Sequence, residues 1–164
     1  MKRFTRPINE LWRLWEPRAR MGIYPFDHTV YEDAKSVVTS LSSYDRDTWA
    51  SAFSSVAARY EEAGIQAEKH GSQEEAKSNY LHAYSFYRMA RFPTTNSDGK
   101  RSAYRKSQDL FFKAARFFEV PLERIEMPFR GHAGERDRLV AYLQTPPKKG
   151  AASSAYRLWR HRHL

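Results

Sequence analysis

The chain has no cysteine among its 164 residues, which excludes a disulfide framework and any thiolate nucleophile or metal ligand. No run approaches the roughly 18 apolar residues a membrane-spanning helix needs, so no membrane partner is expected. The stretch Met1 to Pro7 carries charge with no apolar segment behind it and so lacks the make-up of a signal peptide. Together these absences point to a cytoplasmic setting. Glycine-rich phosphate and dinucleotide motifs are missing too: neither Gly-x-x-x-x-Gly-Lys-Ser/Thr nor Gly-x-Gly-x-x-Gly occurs, and no cofactor is expected. Gly-x-Ser-x-Gly, the strained turn that presents a hydrolase serine, is likewise absent.

What is present is apolar and aromatic. Hydrophobic residues make up 41% and aromatics 15%, enough to build one real core and to exclude wholesale disorder. A formal charge of +9 raises a nucleic-acid reading, and its distribution answers it. Lys148, Lys149, Arg157, Arg160 and Arg162 fall in the last seventeen positions, where no acid occurs, leaving 23 basic against 19 acidic residues elsewhere. That remainder is an ordinary mixed surface, and no nucleic-acid partner is expected. Lys100, Arg101, Arg105, Lys106, Lys113 and Arg116 cluster on one stretch and are read as the solvated face of a helix.

Periodicity predicts five helices. The first opens at Pro7, carries Leu11, Trp12, Leu14 and Trp15, and is expected to end at Pro17. Thr29 and Glu32 stand at capping-box spacing before Val30, Ala34, Val37, Val38 and Leu41. Trp49, Phe53, Val56, Ala57, Tyr60, Ala63 and Ala67 form the clearest stripe, with Gly71 as its stop. Ser72 and Glu75 give another capping box ahead of Ala76, Tyr80, Ala83, Tyr84, Tyr87 and Ala90, closed by Pro93. Asp98 is the expected cap of the fifth helix, with Tyr104, Leu110, Phe111, Ala114, Ala115 and Phe118. Past Pro121 the period changes. Ile125 to Phe129 and Arg138 to Leu143 read as strands joined by Gly131-His132-Ala133-Gly134.

The fold class is therefore mostly α: a helical cap-type bundle, then a short β-hairpin, then a disordered or irregular basic tail. The corresponding divisions are 1–120, 121–146 and 147–164. Tyr84, Tyr87 and Arg88 are the candidates for lining a substrate pocket, since tyrosine offers an apolar body with a polar tip; packing of the third helix on the fourth is the competing reading, and Arg91 is open to either. No catalytic residue is assigned. His161 and His163 lack a nearby carboxylate partner, so no metal site is expected. Gly64, Ala76, Tyr80 and Ala83 also sit at tetratricopeptide offsets. No second copy follows thirty-four residues on, where Asp98 replaces the glycine, which leaves a small helical protein-binding module as the alternative.

Asp47-Thr48-Trp49, the alanine-spaced helix to His70-Gly71, Ala76, Tyr80, Ala83-Tyr84 and Tyr87-Arg88-Met89-Ala90-Arg91-Phe92-Pro93 together resemble an α/β-hydrolase group. It is the one that includes the fermentation-respiration switch protein and the pseudooxynicotine-type C–C hydrolases. Glu126-Met127-Pro128-Phe129-Arg130-Gly131 and Leu139 to Pro146 resemble the hairpin that opens its sheet, so the likeness spans about residues 20 to 146. The resemblance implies that residues 29 to 118 shape substrate access and dimer contacts. It implies a homodimer through the helical domain, and a small-molecule substrate only in a full-length form. The family's nucleophile, acid and histidine have no counterpart here. The chain alone is therefore expected to be inactive, a hydrolase fragment truncated before its catalytic domain. A reading-frame change near Pro146 would account at once for the lost pattern and the basic tail, and sequencing the gene tests it.

Overall fold

In a computed structural model the described residues are 7–130, 136–144 and 157–159. The chain divides into two compact units, the first ending at Ala114 and the second beginning at Ala115. The first unit is helical: α1 Leu11–Met21, α2 Tyr31–Ser40, α3 Arg46–Lys69, α4 Gln73–Ala90 and α5 Asp98–Ala115, with a 3₁₀ turn Ile8–Glu10 running into α1. The mostly helical fold class holds, and several boundaries differ for local physical reasons.

Pro17 lies inside α1 instead of ending it. The ring removes the hydrogen bond to the Arg13 carbonyl, but Arg13 and Pro17 are both exposed, so water can satisfy that oxygen. Gly22 and Gly71, at φ +61° and +76°, take the left-handed conformation that stops α1 and α3. No capping box forms at α2. Its N-cap is Val30, and the Thr29 hydroxyl donates to the Phe26 carbonyl at 2.8 Å. Ser72 does stand at the N-cap of α4, without a side-chain cap bond. Asp45 caps α3, its carboxylate accepting from the amides of Asp47 and Thr48. Asp98 is the first residue of α5, and Ser97 before it accepts from the Lys100 amide at 3.3 Å.

Helices α3 and α4 run antiparallel: Trp49 donates from its indole to the Met89 carbonyl at 2.9 Å, while Gly64 meets Tyr80 near the other end. Ala63, placed on the α3 stripe by periodicity, is exposed, and Gly64 beside it is buried. The swap follows from size: Tyr80, 1% exposed, lays its ring where a Cβ on residue 64 would stand. From Ala83 to Ala90 every residue of α4 is buried, so this half-helix is enclosed on all sides. On α5 the buried stripe is Lys100, Ala103, Ser107, Leu110 and Ala114, a true 3–4 repeat. Lys100 therefore leaves the solvated face expected for it; it is 4% exposed and its ammonium donates to the Phe92 carbonyl at 2.8 Å. Among the described residues no helix is long and apolar enough to cross a membrane.

The second unit holds β1 Glu123–Arg130 and β2 Arg136–Leu143, paired antiparallel from Glu123 opposite Leu143 to Arg130 opposite Arg136. The hairpin is longer than its sequence pattern by a few residues on each strand. Gln144 donates to the Val120 carbonyl at 2.8 Å and ties its base. A third strand, β3 Arg157–Trp159, pairs antiparallel with β2 and completes the order β1-β2-β3. It falls in the stretch that sequence reading left without pattern. The turn at Gly131–Gly134 and the histidines His161 and His163 lie outside the described residues.

One substitution tests the α3–α4 approach. A Cβ at Gly64 would sit 2.7 Å from Tyr80 Cδ1, closer than van der Waals contact allows. Gly64→Ala should cost about 1–3 kcal/mol through displacement of the buried ring, despite alanine's better helix propensity. Urea denaturation measures it, and an unchanged or raised midpoint would contradict the packing described.

Candidate functional site

Tyr84, Tyr87 and Arg88 sit within five residues on the enclosed half of α4, and they face different neighbours. Tyr84 and Arg88, one turn apart, lie together. The guanidinium stands over the Tyr84 and Tyr24 rings at 5.1 and 5.3 Å and reaches the Tyr84 hydroxyl at 3.4 Å. Its main partner is Asp27, which it grips through both terminal nitrogens, Nη1 to Oδ2 at 2.9 Å and Nη2 to Oδ1. Nη2 also donates to the Pro25 carbonyl at 3.0 Å. Two further turns of α4 hold the same segment. Ser85 donates to the Asp27 carbonyl at 2.5 Å, and His82 contacts the His28 carbonyl through Nδ1 at 2.6 Å, which makes Nδ1 the protonated nitrogen. His28 itself is left-handed at φ +57°, an uncommon state for a non-glycine residue, and the bond from His82 pins its carbonyl.

Arg88 is 8% exposed, and its Nε is buried without a hydrogen-bond partner. Burial alone would raise the Asp27 carboxyl, but the hydrogen bonds and charge of Arg88 outweigh it and hold Asp27 below the ordinary carboxylate range. Arg88 is correspondingly raised despite its own burial.

Tyr87 takes its polar partners from α3 and α5. Its hydroxyl donates to Glu61 at 2.9 Å, while the Lys106 ammonium donates to Glu61 at 2.7 Å and to the Tyr87 oxygen at 3.1 Å. Burial would raise Glu61, but the bonds from Lys106 and Tyr87 lower it; burial raises Tyr87. Lys106, unlike Lys100, stays on the exposed face expected of it while making these bonds. Tyr87 and Lys106 border a shallow groove of about 300 Å3 whose floor is Ala50, Gly99 and Ala103, with Asp47 and serines at its rim. Carboxylate, phenol and ammonium satisfy one another there, so the trio can orient a polar group but offers no activated nucleophile.

A third polar knot joins α2 to α3. Tyr60 donates to Asp33 at 2.5 Å, and Arg59 pairs with the same carboxylate at 2.9 Å. Burial and the Asp33 contact push the Tyr60 phenol up to about 12. Among the described residues no three metal-ligating side chains gather to hold an ion. Sequence reasoning missed Asp27, Glu61 and Asp33 as partners, because each lies more than twenty residues from the side chain it pairs with. The one local signal was a cation and tyrosines at helical spacing on a strongly apolar helix.

The acid limb of stability tests the Asp27–Arg88 pair. A depressed carboxyl contributes stability that is complete above its unfolded value, about 3.9, and is lost as pH falls through the lower folded value. Urea titrations from neutral to strongly acid pH should show that loss, and Asp27→Asn should flatten part of it. Asp27→Ala should cost about 3–5 kcal/mol at pH 7, because it leaves Arg88 buried and unpaired. A loss under 1 kcal/mol would show that the pair is dispensable.

No protein-family model and no curated protein sequence matches the chain. Among solved structures, the crystal structure of a 2,6-dihydroxy-pseudo-oxynicotine hydrolase is similar, at a TM-score of 0.56 and 22% identity. The match covers 76% of this chain and 33% of the hydrolase, so the chain spans about a third of that enzyme's length. At this identity the likeness is one of fold.

Proposed function

We propose that the helical unit is the cap portion of an α/β-hydrolase-like protein, shaping substrate access and contributing dimer contacts, and that this chain alone is catalytically incomplete. The observation that carries the reading is the fold likeness, which takes in three quarters of this chain and only a third of a hydrolase. Two features support it. No Gly-x-Ser-x-Gly occurs in the sequence. The end of α1 and the segment after it hold Met21, Ile23 and Tyr24 at 64, 46 and 55% exposure, an apolar surface of the kind a covering domain would shield. On this reading the substrate is a small molecule met only in a full-length form, in the cytoplasm. Of the three candidate lining residues, Tyr87 borders the groove, while Tyr84 and Arg88 would act by fixing the Pro25–His28 segment.

The competing reading, a tetratricopeptide-like binding module, draws on the close approach of Gly64 to Tyr80. Tyr84 is 2% exposed, so it offers no surface to a partner and Tyr84→Ala would act on folding. Purified chain should hydrolyse neither p-nitrophenyl esters nor a dihydroxy-pseudo-oxynicotine above background; genuine turnover would overturn the incomplete-enzyme reading. Replacing the matched third of the similar hydrolase with this helical unit should alter substrate preference, measured as the ratio of kcat/KM values. A folded, active chimera with unchanged preference would remove the access role.

A further inference from the structure

We draw no further inference here: the strongest candidate, the shallow groove between α3 and α5 bordered by Tyr87 and Lys106, rests on two runs of small residues, with Lys106, Tyr87 and Glu61 already satisfying one another, and nothing in the structure shows what fills it.

Discussion

The helical unit depends on the buried pairing of Arg88 with Asp27. Arg88 is 8% exposed, and the cost of leaving a guanidinium unpaired there fixes where the Pro25–His28 segment must run. Once that segment is in place, Phe26 is delivered to the edges of Trp12 and Trp15, and Trp15 in turn meets Trp49 and Phe92. The aromatic core that joins α1 to α3 is thus organised by a polar bond on α4. Dispersion and burial supply the bulk of the stabilisation, while the ion pair selects which packing is adopted.

The unit's polar contacts follow one pattern. Asp33 and Glu61 each accept from one cation and one tyrosine hydroxyl, Asp27 accepts from both terminal nitrogens of Arg88, and each links two elements distant in sequence. Cations also satisfy the carbonyls of the connection after α4: Lys100 reaches Phe92, Arg101 reaches Thr95 and Arg46 reaches Asn96. Those oxygens belong to the negative end of α4 and the loop beyond it, where a cation is favourable. Several of the helical cations are therefore tied to carbonyls and carboxylates of the fold, Lys100 from a buried position and the others from the surface.

The apolar stripes, the Gly71 stop and the hairpin were legible because each is written within a few residues of itself. The α4 stripe named Tyr80, Ala83, Tyr84 and Tyr87 as buried, and they are. Caps were read less well. Thr29 and Ser72 have the right spacing, but the Thr29 hydroxyl bonds to Phe26 and no cap bond forms at Ser72. Such competition between local bonds is invisible to a spacing rule. Lys100 departs from the expected solvated face because the tertiary position of the Phe92 carbonyl draws it in, whereas lysine on a helix normally faces water. The three candidate lining residues were found on one helix; that they divide between two sets of polar partners is set by residues elsewhere in the chain.

The enclosure of α4 from Ala83 to Ala90 has a consequence for how the sequence can vary. An ordinary surface helix has an outer face on which substitutions drift at little cost. This segment has none, since each residue is pressed against α3, α5 or the Pro25–His28 segment. A change at any of its eight positions is felt by a neighbour that cannot move away independently, so acceptable replacements must arrive in compensating pairs. The outward sides of α2, α3 and α5 carry no such restriction. Substitutions on those surfaces should therefore cost less than substitutions between Ala83 and Ala90, which act as an inner axle of the helical unit.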